Sequence, residues 1–215
     1  MKPTPKEQVL KSIRDALIDR EEISLEDVDF DSPIYPALPD SPEIVFARNF
    51  IEAGGKFNYC SDEDELLRFL THLFSESHYM PVYSAEEKLR YLLLQQGIDL
   101  LRGEEEMYEA VSIVTSCEYL VARTGTIVFS SALGGGRRPA VVSPVHVVVA
   151  YASQVVEELR DALAGLRKKY AENLPSAITF ITGPSRTADI EKTLVKGAHG
   201  PAQVLLFFVD DLKND

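Results

Sequence analysis

The sequence predicts an α/β domain with a mostly parallel central sheet, preceded by an N-terminal helical arm. Three observations carry this. Short apolar runs rich in β-branched and aromatic residues, such as Ala177 to Thr182 and Val204 to Val209, have strand composition and are bounded by glycine, proline or acidic residues. Between such runs lie longer segments with apolar residues at helical spacing. Helix and short strand alternate without an internal repeat, the order expected of a parallel sheet flanked by helices.

The first helix is predicted over Lys6 to Asp19, where Val9, Leu10, Ile13, Leu17 and Ile18 share a face. Ile23 to Asp40 holds Pro33, Pro36 and Pro39 among scattered acids and is expected to be an extended arm. Residues 1–40 are thus assigned to a helix and arm, and 41–215 to the α/β domain. Ser41-Pro42-Glu43 marks a helix start with proline at the first helical position, and Gly54-Gly55 ends that helix. Phe57 to Cys60 is a candidate strand. Asp62, Glu63 and Asp64 place acids in the positive first turn of the next helix, whose stripe is Leu66, Leu67, Leu70, Leu73 and Phe74. Met80 to Tyr83 is a candidate strand, and Ser84 with Glu87 has capping-box spacing before a helix to Gln95.

From Ala110 the pattern turns to strands. Val111 to Val114, Ile127 to Phe129, Val141-Val142 and Val145 to Ala150 are strand candidates, and Ser116 to Val121 is expected to form a helical turn. Gly134-Gly135-Gly136-Arg137-Arg138-Pro139 is a flexible loop bearing two adjacent cations. Ser153 to Tyr170 predicts an amphipathic helix whose stripe of Val155, Val156, Leu159, Ala162, Leu163 and Leu166 has core character. After the Ala177–Thr182 strand and the Gly183-Pro184-Ser185 break, Thr187 to Lys196 has Ile190, Leu194 and Val195 at helical spacing, with Gly197 as its stop. Strand, helix and strand here predict a βαβ unit with a parallel pair.

Composition narrows the function. A chain of 215 residues and 23.9 kDa, 45% hydrophobic, buries a full core in one domain. A formal charge of −12 argues against nucleic-acid and anionic-membrane partners, which require clustered lysine and arginine. Met1 to Leu10 is polar, and no apolar run approaches membrane-spanning length, so a cytoplasmic location is expected. Cys60 and Cys117 form no CxxC pattern and cannot hold a four-cysteine iron–sulfur centre, and the four histidines lack HExxH spacing. No metal site is expected. Gly134 to Gly136 is followed by no GK[ST] and lacks GxGxxG spacing, and no Gly-x-Ser-x-Gly elbow occurs, which weighs against P-loop, dinucleotide and hydrolase readings.

The loop after Ile181 is the leading candidate for chemistry. A helix starting there would offer unpaired N–H groups and partial positive charge to a carboxylate or phosphate. Gly183, Ser185, Arg186 and Thr187 would bind that anion; alternatively Ser185 or Thr187 only caps the helix while Arg186 pairs with Asp189 or Glu191. Thr124-Gly125-Thr126 and the Arg138 loop carry hydroxyls, N–H groups and cations that could close the same site at the carboxyl edge of a parallel sheet. Alone, Thr124 to Thr126 is more often a tight turn whose glycine permits positive φ. His146 and His199 are each either a general acid or base or a residue that holds a loop in shape.

Two segments resemble a known family. Gly183-Pro184-Ser185-Arg186-Thr187-Ala188-Asp189-Ile190-Glu191 with Gly197-Ala198-His199-Gly200-Pro201 is similar to the closing signature of the LUD domain family, seen in LutC-like proteins. Ala122-Arg123-Thr124-Gly125-Thr126-Ile127-Val128, then Arg138-Pro139 and Ser143-Pro144-Val145-His146, resembles its central motif, and the likeness covers roughly Ile44 to Val209. The resemblance implies a NagB/RpiA/CoA-transferase-like three-layer fold. It also implies a cluster-free subunit of an L-lactate-to-pyruvate oxidation system whose iron–sulfur clusters sit on LutA-like and LutB-like partners, with a small carboxylate or phosphate as ligand. The alternative it leaves is a stand-alone enzyme acting on a phosphate or CoA ester, with His199 or Asp189 as base. Family members often carry an acid just before TGT, where this chain has Arg123, and that departure counts against independent catalysis.

Overall fold

The computed structural model describes residues 4–18, 35–190, 193–197 and 199–212, with backbone alone for 16–18, 187–190 and 193–196. Most of the predicted arm, and Glu191 with Ala198, lie outside the described residues. The chain divides into two compact units, residues 1–37 and 38–215. In the first, helix α1 (Pro5–Ile18) begins where Thr4 and Glu7 cap each other reciprocally. The Thr4 N–H donates to the Glu7 carboxylate at 2.7 Å, and the Glu7 N–H donates to Thr4 Oγ1 at 3.3 Å.

In the second unit the helices are α2 (Pro42–Glu52), α3 (Glu63–Ser75), α4 (Glu87–Gln95) and α5 (Leu159–Tyr170). The strands are β1 (Lys56–Cys60), β2 (Val82–Tyr83), β3 (Ser112–Thr115), β4 (Tyr119–Val121), β5 (Thr126–Ser130) and β6 (Val145–Tyr151). They continue as β7 (Val155–Val156), β8 (Ile178–Ile181), β9 (Arg186–Ile190), β10 (Thr193–Lys196) and β11 (Gln203–Val209). A five-stranded sheet in the order β1-β11-β6-β3-β2 is parallel throughout, the mostly parallel centre that the sequence predicts.

Burial on both faces explains why β6 and β11 are nearly unbroken apolar runs. Val145, Val147, Val149, Leu205 and Phe207 pack against Leu66, Leu70 and Phe74 of α3 and Leu89 and Leu93 of α4. On the opposite face, Val148, Ala150, Leu206 and Phe208 meet Phe46 and Phe50 of α2 and Ile127 and Phe129 of β5. That face is therefore covered by a helix together with a second, four-stranded sheet in the order β7-β4-β5-β8. Helix α5 closes the outside of this second sheet, with Ala162 and Leu166 on Val121 and Val128.

The largest departure from expectation is at residues 186–196. No helix forms there among the described residues. β9 and β10 make an antiparallel hairpin in which Thr193 opposes Ile190 and Lys196 opposes Arg186. Thr187, Ile190, Thr193 and Val195 are β-branched, and their preference for extended backbone prevails over the helical spacing of Ile190, Leu194 and Val195. The predicted βαβ unit is absent as well. β8 pairs antiparallel with β5 in the second sheet, whereas β11 lies between β1 and β6 in the first.

Smaller corrections follow the same pattern. Residues 116–121 contain β4 in place of a helical turn, and Val155-Val156 forms β7, so α5 begins only at Leu159. These two short strands pair in parallel, Leu120 with Val155 and Val121 with Val156. Val141 lies in a turn and Val142 in a bend, not in a strand. The Ser84–Glu87 capping box does not form: Glu86 is the N-cap of α4, and its carboxylate is engaged elsewhere.

Candidate functional site

Helix α2 is the element that gathers the candidate residues. Its inner side is buried through Val45, Phe46 and Phe50. Asn49 then reaches out, its Nδ2 donating to the carbonyls of Ala122 and Arg123 at 2.9 Å each. The helical turn Ala122–Thr124 ends in Gly125 at φ +61°, a left-handed conformation that suits glycine. A Cβ at Gly125 would lie 2.3 Å from the Phe50 nitrogen, so the Thr124–Thr126 loop sits directly on the α2 backbone. The second loop arrives at the same place, where a Cβ at Gly183 would lie 2.3 Å from the Ala53 carbonyl oxygen. Arg186 Nη2 donates to that carbonyl, placing a cation at the negative end of the helix.

The structure thus brings Thr124, Gly125, Thr126, Gly183 and Arg186 together, but at a helix C-terminus. The helix N-terminus expected after Gly183-Pro184-Ser185 does not exist. In its place, a row of hydroxyls marks the site. Thr124 Oγ1 lies 2.7 Å from Thr126 Oγ1, which lies 2.7 Å from Thr182 Oγ1. Thr126 is buried, while Thr124 and Thr182 are exposed, so the row reaches solvent at both ends. Each hydroxyl has one donor and two acceptor positions, so the outer two retain capacity for an external group. Thr182 is a site residue that the sequence reading missed. Its signal was its place as the last residue before Gly183, on a strand end beside the loop.

Ser185 is pinned by its backbone, with its N–H donating to the Pro201 carbonyl at 2.9 Å and its carbonyl accepting from the Gly197 N–H at 3.1 Å. This ties the loop to the segment that carries the exposed His199. Thr187 and Asp189 are strand residues of β9, and their side chains lie outside the described residues. Arg138 is held elsewhere. It donates to Glu104 at 3.3 Å and stands 6.0 Å from the centre of the Tyr108 ring. Arg123, the departure before TGT, has a structural partner: its Nε lies 2.6 Å from Glu158 at the start of α5.

Buried polar groups lie apart from this site. His146 is fully buried between the two sheets, with Nε2 2.8 Å from Thr115 Oγ1 and no partner for Nδ1 among the described residues. Burial lowers its pKa to about 4, so the ring is neutral near pH 7. Glu118, unnoticed in the sequence, is buried beneath α5 and accepts from Ser130 (2.5 Å), Tyr170 (2.6 Å) and Lys169 (2.7 Å). Burial alone would raise its pKa; the bonds from Lys169, Ser130 and Tyr170 outweigh it and hold the carboxyl below its ordinary value. Glu86 accepts from the N–H (2.8 Å) and hydroxyl (2.5 Å) of Ser116, and burial raises its pKa.

Both cysteines are buried. Burial pushes the Cys60 thiol up to about 12 and the Cys117 thiol up as well, so both are protonated near pH 7. Among the described residues, no group of three or more His, Cys, Asp and Glu side chains is placed to hold a metal ion. None of the described helices is long and apolar enough to cross a membrane.

A parallel five-stranded sheet, a second four-stranded sheet on one face, and two glycine loops seated on one helix end define an α/β domain of recognisable type. The chain belongs to the LUD domain family, whose model matches residues 45–209 and so includes both loops. Relatives called lactate utilization protein C are similar to it: that of Bacillus pumilus is 32% identical over 145 residues (65% of this chain, 60% of the relative). That of Bacillus subtilis is 33% identical over 118 residues (53% of this chain, 49% of the relative). The matched segments thus span about half the length of these relatives. A solved structure of a DUF162 family protein from Deinococcus radiodurans superimposes with a TM-score of 0.61 at 18% identity, covering 81% of this chain and 99% of that one. At that identity the likeness concerns the fold.

Proposed function

We propose that this chain is a subunit of a lactate-utilisation system that oxidises L-lactate to pyruvate. In this reading it works with iron–sulfur proteins of the LutA and LutB kind and carries no cluster of its own. The observation that carries the reading is the family membership joined to the relatives' shared name, lactate utilization protein C. The donor set supports the division of labour. Lactate oxidation releases two electrons, and two cysteines far apart in sequence, Cys60 and Cys117, are too few for a four-cysteine cluster, so in this reading the electrons pass to centres on the partners.

The threonine row and the Gly183–Arg186 loop are the place where this subunit engages a small carboxylate or phosphate, or the partner that carries it. Thr124 and Thr182 offer exposed hydroxyls, and Arg186 offers a guanidinium with five N–H donors, of which the Ala53 carbonyl takes one. Arg186→Ala is expected to lower lactate-dependent turnover of the assembled system by roughly tenfold or more, the loss typical of one charge-assisted contact. The readout is the rate of acceptor reduction by co-expressed subunits. Wild-type turnover by a folded Arg186→Ala protein would remove Arg186 from the site.

A further inference from the structure

The threonine row constrains its ligand more closely than three independent hydroxyls would. Thr124, Thr126 and Thr182 hold three hydroxyl protons between them, and each of the two oxygen–oxygen gaps of 2.7 Å needs one. Thr126 stands in the middle, is 5% exposed, and its hydroxyl has no third partner among the described residues. Were both outer threonines to donate inward, the Thr126 proton would be buried without an acceptor, at the cost of an unmade bond. Thr126 therefore donates to one neighbour and accepts from the other. The outer hydroxyl that receives its proton keeps its own for an external group. The outer hydroxyl that donates to Thr126 turns only lone pairs outward. The row thus presents one donor end and one acceptor end, and these exchange places only together.

Two contacts of 2.7 Å put the outer oxygens no more than twice that distance apart, within reach of neighbouring groups on one small molecule. An acid with a hydroxyl on the adjoining carbon matches this pattern. Its carboxylate accepts from the donor end, and its hydroxyl donates to the acceptor end. The corresponding keto acid has acceptors only. Its ketone oxygen meets the lone pairs of the acceptor end, and reversing the row moves the conflict to the carboxylate. Donation from both ends would leave one 2.7 Å gap without a proton. We propose that Thr126 is the positioning residue that sets the specificity of this site: through it the row prefers a 2-hydroxy acid to the matching 2-keto acid. In a lactate-oxidising system that preference holds the substrate and lets the product go. The inference rests on reading the row as the ligand contact of such a subunit.

The test compares binding of L-lactate and of pyruvate to the purified full chain by NMR titration. Wild type should bind L-lactate roughly tenfold more tightly than pyruvate, the equivalent of one hydrogen bond. Thr126→Val keeps the shape of the side chain but cuts the row, so Thr124 and Thr182 orient their protons independently and the ratio should fall to near one. Thr126→Ser restores the middle hydroxyl and should restore the preference. A role in packing alone would instead shift both affinities together and leave their ratio unchanged. Thr182→Val, at an exposed position, gives a second variant: Thr126 then donates only to Thr124, which is fixed as a donor, and the preference should again be lost. Equal binding of the two acids by wild type, or a preference that survives in either valine variant, would overturn the proposal and leave a carboxylate site in place. Binding of neither acid would overturn the proposal and that site together. The subunit reading would then stand or fall separately, on whether lactate oxidation requires the chain.

Discussion

Gly125→Ala should destabilise the protein by roughly 3 to 5 kcal/mol, the largest effect expected of any single methyl addition at the two site loops. Two costs combine. Left-handed backbone at φ +61° strains a residue with a Cβ by about 1–2 kcal/mol. The new methyl would also stand 2.3 Å from the Phe50 nitrogen, 2.5 Å from the Asn49 carbonyl carbon and 2.8 Å from the Phe50 Cα. Those are helix backbone atoms, two of them in the fully buried Phe50, so no side chain can swing away to make room. The loop must lift off α2, which loosens both hydrogen bonds from Asn49. Gly136 supplies the control: its φ is +71° but nothing lies within 4 Å of a Cβ there, so Gly136→Ala should show the strain alone. Urea unfolding of the three proteins measures the difference. Equal losses at both positions would contradict the seating of the Thr124–Thr126 loop on α2.

The second large effect is a loss of stability in mild acid that traces to His146. In the unfolded chain its imidazole takes up a proton near pH 6.5, whereas in the folded protein burial delays this until about pH 4. Stability is therefore full above pH 6.5 and falls as the pH is lowered towards 4. The total loss approaches about 3 kcal/mol, with a slope near 1.4 kcal/mol per pH unit inside the window. Glu86 acts in the opposite sense, because a buried carboxyl with a raised pKa favours the folded state as it protonates. The readout is thus the difference between wild type and His146→Gln at each pH. That difference should change steeply between pH 6.5 and 4 and stay flat above 7. A constant difference across the range would show that His146 does not titrate as a buried neutral ring.

The parts of the fold that were legible are those whose burial leaves a periodic trace. Helices α2 and α3 each bury an apolar stripe, and β6 and β11 are apolar at nearly every position because both faces are covered. The hairpin β9–β10 was misread because Ile190, Leu194 and Val195 satisfy helical spacing by coincidence while their neighbours are β-branched. β4 and β7 left no usable trace, being three and two residues long, and β7 is defined by pairing with β4 across more than thirty residues of chain. The two glycine loops were found through their motifs. Their seat on the end of α2 was not, since the bonds from Asn49 to Ala122 and Arg123 span over seventy residues without local sign. Glu118 and Glu86 escaped notice because a glutamate reads as surface unless its partners are known, and those of Glu118, Ser130 and Lys169, stand twelve and fifty-one residues away.

The measurement that bears most directly on function is L-lactate-dependent reduction of an artificial electron acceptor by the co-expressed iron–sulfur proteins, with and without this chain. If the chain is a working subunit of a lactate-oxidising assembly, acceptor reduction requires it, and purified wild-type protein added back restores the rate. Full lactate oxidation by the iron–sulfur proteins alone, unchanged on adding the chain, would contradict that account.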